Sequence, residues 1–235
     1  VLYPKPPFAP LHKEMRLLRT PEGNALGYAA AGAGQATIVY FHGNADQIGW
    51  SGAWLASRVR PRGFLAVEYP GYGYDADEET SEAAIDAAAD AAVRYARSSL
   101  GADRLVLWGQ SLGCGPALHA AARHPDAVRK VVLLSPFLSV ADMAASLLPI
   151  LPRFVLGPLV WDKFDNLERA RQLPSTTDVL VLHGTHDDIV PFAQGRRLAD
   201  ELSSSSSSSD DATRSFVPLE GAGHNDVFAP PHDRL

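Results

Sequence analysis

The most informative stretch of this 235-residue chain is Gly109-Gln110-Ser111-Leu112-Gly113. It follows the short apolar run 104–108, which has the composition of a buried parallel strand. The Ala- and Leu-rich residues 114–123 behind it predict a helix. A serine between two glycines on a tight strand-to-helix turn is typical of a nucleophile, because the turn lifts its hydroxyl clear of the sheet. Ser111 is therefore a candidate nucleophile, which needs an acid, a base and an oxyanion loop elsewhere in the chain.

Composition and charge exclude several classes of protein. The chain is 46% hydrophobic and 20% charged, which is ordinary for one large α/β domain spanning residues 1–235. The formal net charge of −6 and the lack of any Lys/Arg block argue against a nucleic-acid partner. The single cysteine excludes an internal disulfide framework, and no apolar run reaches the ~18 residues of a membrane span. Outside the loops that carry Asp187 and His224, no His/Cys/Asp cluster has zinc-type spacing, so we expect no metal.

The chain begins with Val1 rather than Met. We expect a processed or trimmed product, from which a leader or an anchor could have been removed. The compartment and any association with a membrane surface are therefore left open.

Predicted strands alternate with predicted helices over most of the length. Strands are predicted at 14–19, 25–31, 36–41, 63–69, 104–108, 130–135, 178–183 and 214–219, and helices at 50–60, 80–100, 114–123, 166–173 and 191–202. Residues 203–211, which include seven consecutive serines, predict a flexible surface loop. This alternation indicates a mostly parallel sheet with helices on both faces, in which ligands bind beyond the carboxyl ends of the strands.

The candidate base is His224, which follows the last predicted strand on the loop Gly221-Ala222-Gly223. A serine hydroxyl needs an adjacent base. Where the serine lies on such a strand-to-helix turn, the acid follows the serine in the chain and the histidine follows the acid. His183 and His186 precede the expected position, so we expect them to be structural residues or residues of the site's rim.

The candidate acid follows the strand 178–183, where Asp187 and Asp188 are the two choices. Asp187 lies three residues beyond Gly184, the spacing at which such a turn commonly presents its acid, so Asp187 is preferred. Ile189 and Val190 would then pack behind it.

The oxyanion hole needs two backbone N–H groups. One is expected from Leu112, directly after the nucleophile, and the other from the loop after the first central strand. There Gly43 permits a turn that could aim the amide of Asn44 or of Ala45, and Asn44 is preferred. We expect His42 to brace this loop rather than to transfer protons.

Five segments together resemble a known family of enzymes. They are His42-Gly43-Asn44, Pro70-Gly71-Tyr72-Gly73, Gly109-Gln110-Ser111-Leu112-Gly113, His183-Gly184-Thr185-His186-Asp187 and Glu220-Gly221-Ala222-Gly223-His224-Asn225-Asp226. In this order, over residues 25–228, the chain resembles a group of α/β-hydrolase-domain serine hydrolases that includes the bud-emergence-type hydrolases and the protein depalmitoylases. The resemblance implies the α/β-hydrolase fold, with Ser111 as nucleophile, Asp187 as acid and His224 as base. It also implies an ester or thioester substrate and no cofactor.

Two features depart from that group. Depalmitoylases typically carry an N-terminal cysteine cluster for lipid anchoring, and this chain has only Cys114. The family usually ends in a helix after the histidine loop, whereas residues 225–235 contain Pro230 and Pro231 and leave little room for one. Truncation at this end would explain the second departure.

An apolar insertion at about 137–165 falls where this fold inserts a cap over the active site. Leu147, Leu151 and Phe154 are the candidate substrate-binding residues within it. Two interpretations stay open, namely an acyl-chain pocket or lid for a lipid-like substrate, and a simple cover for the sheet.

Two functional classes therefore follow from the sequence. The first is a serine hydrolase acting on esters or thioesters, as a carboxylesterase or lipase, as a protein or acyl-CoA thioesterase, or as a peptidase. The second is a non-catalytic scaffold with a hydrolase fold, although such proteins generally lose a member of the triad.

Overall fold

The computed structural model describes residues 3–30, 32, 37–147, 161–204 and 212–226. It contains eight strands: β1 (Arg16–Arg19), β2 (Ala25–Ala29), β3 (Thr37–Phe41), β4 (Gly63–Val67), β5 (Leu105–Gln110), β6 (Val128–Leu134), β7 (Asp178–Gly184) and β8 (Arg214–Leu219). The α-helices are α1 (Ala53–Arg58), α2 (Glu82–Ser98), α3 (Cys114–Arg123), α4 (Val140–Leu147), α5 (Asn166–Arg171) and α6 (Phe192–Ser204). A π-helical turn at Ile48–Gly52 leads into α1, and 3₁₀ turns occupy Gly73–Asp75 and Ser111–Gly113.

The strands form one eight-stranded sheet in the order β1-β2-β4-β3-β5-β6-β7-β8. Strands β1 and β2 are antiparallel to their neighbours, and all the other pairs are parallel. The α/β-hydrolase fold expected from the sequence is therefore confirmed. Because β3, β5, β7 and β8 are parallel, the residues that follow them emerge at one edge of the sheet.

The core is divided by the sheet. Val39, Leu65 and Leu107 pack on one face with the alanine-rich sides of α2 and α3. The alternate strand residues, such as Tyr40 and Phe64, pack on the other face with Leu55 of α1. The β-strand period of two thus directs neighbouring residues of the buried central strands to opposite layers, both of them apolar.

Most element boundaries lie within three residues of their predicted positions. The cap of α2 is Ser81, whose Oγ accepts a hydrogen bond from the Ala84 N–H at 3.1 Å, and Gly101 follows the helix with a φ of 63°. Helix α4 is absent from the sequence interpretation, which treats its residues only as part of an insertion. Residues 205–211, the rest of the serine-rich segment, lie outside the described residues, whereas Ser203 and Ser204 end α6.

The start of the apolar insertion belongs to the core. Phe137 and Leu138 are 5% and 4% exposed and pack with the α2–α3 layer, and Phe164 at its other end is fully buried. These three side chains cover the sheet, as one of the two interpretations of the segment proposes. Leu151 and Phe154 lie outside the described residues, and so does the side chain of Leu147 at the end of α4.

Candidate active site

Ser111 lies on a strained turn between β5 and α3. Its φ is 51°, in the left-handed region that residues with a Cβ atom rarely adopt. Both flanking glycines are sterically required: a Cβ on Gly109 would overlap the Gly113 carbonyl oxygen, and a Cβ on Gly113 would overlap that of Phe41 in β3. The turn is therefore pressed against the neighbouring central strand, and this packing holds Ser111 in its unusual conformation.

Asp187 and His224 form a hydrogen-bonded pair. His224 Nδ1 lies 2.8 Å from Asp187 Oδ2 and 3.0 Å from Oδ1, although 37 residues separate them in the chain. The Asp187 side chain is fully buried, and that of His224 is 7% exposed. Because a carboxylate only accepts, Nδ1 carries the proton and Nε2 is left as the basic nitrogen. Asp188, the alternative acid, is exposed.

Several donors keep the Asp187 carboxylate charged. Its Oδ1 accepts the N–H groups of Ile189 at 3.0 Å and Val190 at 2.8 Å. Burial alone would raise the pKa of Asp187, but His183, His224 and the Val190 N–H outweigh burial and hold that pKa well below its usual range. The carboxylate is therefore ionised at any pH at which the histidine acts as a base.

His183 is a second histidine on the same carboxylate. It is fully buried at the end of β7, and its Nε2 lies 3.0 Å from the Val190 carbonyl oxygen and 3.3 Å from Asp187 Oδ2. Since a carbonyl only accepts, Nε2 carries the proton, which is shared with the carboxylate. The expectation that His183 is structural agrees with this burial, but its contact with the acid was not foreseen.

Ser111 and His224 line the same cavity, which has a volume of about 500 Å³. Trp50 and Ile189 also line it, and they are 49% and 47% exposed. The expectation that Ile189 packs behind Asp187 is therefore wrong: Val190 is buried, whereas Ile189 lines the open cavity, although both donate their backbone N–H groups to Asp187 Oδ1. The walls of the cavity combine apolar and polar side chains.

The loop after β3 passes beside Ser111. Asn44 and Ala45 line the cavity, and a Cβ on Gly43 would lie 3.7 Å from that of Ser111, an ordinary contact. The sequence interpretation assumed that this turn depends on Gly43. The structure contradicts this, because the residue with a positive φ is Ala45, at 58°. Leu112, directly after Ser111, is 6% exposed.

A buried pair of a histidine and a glutamate lies beneath this loop. His42 and Glu68 are fully buried, and His42 Nε2 lies 3.3 Å from Glu68 Oε1. His42 Nδ1 donates to the Gly43 carbonyl oxygen at 2.8 Å. Burial alone would lower the pKa of His42, but Glu68 outweighs burial and the pKa is raised. The geometry agrees with the bracing role expected for His42.

Two tyrosines fasten the same loop from the segment after β4. The Tyr69 hydroxyl donates to the His42 carbonyl oxygen at 2.9 Å, and the Tyr72 hydroxyl donates to Asn44 Oδ1 at 2.7 Å. Burial raises the pKa of both hydroxyls, so both remain protonated donors at neutral pH. The Pro-Gly-Tyr-Gly segment thus holds the loop after β3 in place.

The remaining candidate residues lie outside this cavity or outside the described chain. His186 and Asp188 line a neighbouring cavity of about 390 Å³, which shares His224 and Asn225 with the first, so His186 lies next to the site and not in it. In the part of the chain that the structure describes, no group of three or more His, Cys, Asp or Glu side chains could hold a metal ion. No helix within the same ranges is long and apolar enough to cross a lipid bilayer.

The sequence interpretation missed Asp46, Trp50, Glu68 and the contact of His183 with the acid. Asp46 and Trp50 follow Asn44 by two and six residues, so their position after a strand end was an available signal. Glu68 carried only a weak signal, a carboxylate at the end of an apolar strand, because its partner is distant in the chain.

Comparison with known proteins agrees with this architecture. A family model described as the alpha/beta hydrolase fold matches residues 36–177. An esterase from Pyrococcus furiosus superposes with a TM-score of 0.68 at 13% identity, covering 97% of this chain and 91% of the esterase. An esterase from Rhodococcus gives a TM-score of 0.62 at 17% identity, covering 94% and 95% of the two chains. At these identities the structures show a common fold.

Sequence relatives are more similar than these structures. Alpha/beta hydrolase domain-containing protein 17B of Xenopus laevis is 30% identical over 224 residues, which cover 91% of this chain and 70% of that protein. The human protein 17C is also 30% identical over 224 residues, but the chain spans only 61% of its length. The chain therefore belongs to the α/β-hydrolase-fold family, in the α/β-hydrolase-domain group of these relatives.

Proposed function

We propose that this protein is a serine hydrolase that cleaves carboxylic esters or thioesters through an acyl-enzyme on Ser111. His224 is the general base and acid, and Asp187 orients it. The backbone N–H groups of Leu112 and Asn44 are the proposed oxyanion donors. The observation that carries the proposal is the pairing of His224 Nδ1 with a fully buried carboxylate, beside a cavity that His224 shares with a strained serine. We also propose that residues 1–235 form one domain, since a single sheet runs from Arg16 to Leu219.

Acylation begins at Ser111 Oγ, which attacks the carbonyl carbon of the substrate while His224 Nε2 takes its proton. The positive charge on the imidazolium is stabilised by Asp187, which remains ionised throughout. The carbonyl oxygen becomes an oxyanion, and each N–H donor aimed at it contributes about 3 kcal/mol in the transition state. The bond to the leaving oxygen or sulfur then breaks, and the leaving group takes the proton from His224.

Deacylation repeats these steps with water as the nucleophile. His224 takes a proton from water, the resulting hydroxide attacks the acyl carbon, and the bond to Ser111 Oγ breaks. The proton returns to Ser111, and the carboxylic acid is released. The net reaction is hydrolysis of one ester or thioester bond, with the enzyme regenerated and no cofactor consumed.

Labelling with a fluorophosphonate tests whether Ser111 is activated. We expect the wild-type protein to be labelled and Ser111→Ala not to be, since only a serine with an adjacent base reacts rapidly. Ser135→Ala is a matched control, because Ser135 is a buried serine that also has a positive φ of 48°. If the wild type is unlabelled, the protein is a non-catalytic member of the fold, and if Ser111→Ala is labelled equally, Ser111 is not the activated nucleophile.

The substrate class is tested by a chain-length series on oxygen esters and matched thioesters. Trp50 and Ile189 supply an apolar wall that supports short or medium acyl groups in a cavity of about 500 Å³. Leu147, Leu151 and Phe154 remain the proposed residues for a longer, lipid-like chain. A sharp preference for acetate over octanoate in p-nitrophenyl esters would contradict the lipid-pocket proposal, while higher kcat/KM on thioesters than on matched oxygen esters would favour the thioesterase alternative over the carboxylesterase.

A further inference from the structure

The cavity beside Ser111 carries an unpaired negative charge. Asp46 lines this cavity, and its partly exposed carboxylate accepts a hydrogen bond from the Gln47 N–H at 2.7 Å. Among the described residues, no Lys, Arg or His forms an ion pair with Asp46, and the cavity lining includes no Lys or Arg. The charge of Asp46 is therefore available to a bound molecule.

This charge is unfavourable for the hydrolysis of a neutral ester. Asp46 follows Asn44, the proposed oxyanion donor, by two residues, and both line the same cavity. The negative charge of Asp46 also acts on His42, where it contributes to the raised pKa of the imidazole. An oxyanion that develops near a carboxylate is repelled by it. A positive charge on the substrate would offset this repulsion, and a negative charge would add to it.

Trp50 supplies the second half of a site for a cation. It lies on the π-helical turn Ile48–Gly52, where its backbone N–H donates to the Gln47 carbonyl oxygen at 3.0 Å. This hydrogen bond holds Trp50 next to Gln47, the residue after Asp46. Its side chain is 49% exposed and lines the same cavity as Asp46. Indole faces attract ammonium and guanidinium groups, and a nearby carboxylate strengthens this attraction.

We infer that the substrate carries an ammonium or guanidinium group a few bonds from the scissile carbonyl, bound between Trp50 and Asp46. This inference rests on the proposed hydrolase function, because it places the cation relative to the carbonyl that Ser111 attacks. Trp50 supplies the apolar face, and Asp46 supplies the opposite charge. Substrates that bear a carboxylate at the same position are disfavoured by repulsion.

Three p-nitrophenyl esters with the same leaving group and similar acyl length test the charge preference. They are the 4-(trimethylammonio)butanoate, its neutral isostere 5,5-dimethylhexanoate, and the anionic hydrogen glutarate. We expect kcat/KM for the cationic ester to exceed that for the neutral one by about tenfold, the combined effect of one cation–π contact and one partly exposed ion pair. The anionic ester should be the poorest substrate of the three.

Two variants assign the preference to its residues. Asp46→Asn should lower the ratio of cationic to neutral kcat/KM by about fivefold and raise the rate on the anionic ester. Trp50→Leu should lower the same ratio by a few-fold while the anionic ester stays poor. Asp126→Asn is the matched control, since it removes one charge at an exposed turn before β6 and should leave the ratio unchanged. Added salt should reduce the preference of the wild type.

The outcomes separate this inference from the proposed function. If the neutral ester is hydrolysed and Ser111 is labelled, but the wild-type ratio is near one or is unchanged in Asp46→Asn, the cation site is refuted and the hydrolase remains. If Ser111 is not labelled and none of the esters is hydrolysed, the proposed function itself is refuted.

Discussion

Removal of the Tyr72 hydroxyl tests whether the proposed oxyanion loop after β3 depends on the segment after β4. In Tyr72→Phe the buried ring keeps its packing against His42 and Tyr69, and only the 2.7 Å hydrogen bond to Asn44 Oδ1 is lost. One such bond contributes about 0.5–1.5 kcal/mol net, and Asn44 is exposed, so water can replace the lost donor. We expect kcat to fall by about 2- to 12-fold, the same energy expressed as a rate, with KM little changed.

The upper bound on this effect follows from the loop's proposed role. Complete loss of one oxyanion donor costs about 10²- to 10³-fold in kcat, so a partial displacement of the Asn44 amide must cost less. Two measurements are made on the wild type and on the variant: kcat and KM on one p-nitrophenyl ester, and the free energy of unfolding in urea.

Tyr74→Phe is the matched control for Tyr72→Phe. The Tyr74 hydroxyl accepts a hydrogen bond from the Leu11 N–H at 2.8 Å, and Tyr74 does not line the cavity. This variant should lose similar stability with kcat unchanged. If Tyr72→Phe loses stability but keeps full kcat, the tyrosine does not position the loop, and the reasoning fails.

Three further predictions concern the triad, the elbow and the acid limit of stability. Ser111→Ala and His224→Ala should each abolish most turnover, and the double variant should be hardly worse, because groups that act as a unit are not additive; losses that multiply would contradict the assignment. Gly113→Ala should lower the free energy of unfolding by about 1–3 kcal/mol or more, because the new methyl group overlaps the backbone of strand β3. In the control Gly101→Ala the new methyl group meets nothing within 4 Å, so the loss should be only about 1 kcal/mol. In the folded protein the pKa of Asp90 is lowered, because His119 and His124 outweigh the effect of burial. The ionised Asp90 carboxylate therefore stabilises the fold above its unfolded pKa of about 4, and this stabilisation is lost as the pH falls through its pKa in the folded protein.

Urea unfolding from pH 2 to 7 measures the last of these predictions. Asp90 Oδ1 lies 2.9 Å from His124 Nε2, and Asp90 Oδ2 lies 3.3 Å from His119 Nε2. Asp90→Asn should flatten the loss of stability below about pH 4, and Asp126→Asn, at an exposed turn, should not. Equal acid profiles for the wild type and Asp90→Asn would show that this cluster does not set the acid limit.

The fold could be predicted from the sequence because its signals are local. Each buried parallel strand is a short apolar run, and each helix has its own periodicity, so β5, α3 and β8 were located to within about two residues. Helix α4 was missed because the sequence interpretation treated residues 137–165 as a single apolar insertion, although Asp142 and Ser146 interrupt the apolar residues of the helix. Gly43 was given the conformational role of Ala45 because a positive φ at alanine has no signal in the sequence and is imposed by the surrounding contacts.

The sequence by itself determined the residue types and their order along the chain, with a serine, an acid and a histidine each placed after a strand. Parallel strands bring such residues to one edge whatever their separation, so this much required no coordinates. Only the tertiary structure decided which aspartate meets His224, that His183 shares the same carboxylate, and that Ile189 faces the cavity. It also decided that Asp46 and Trp50 line the cavity and that Glu68 lies under His42. These are contacts between distant segments, which depend on how the loops pack in three dimensions rather than on any local pattern.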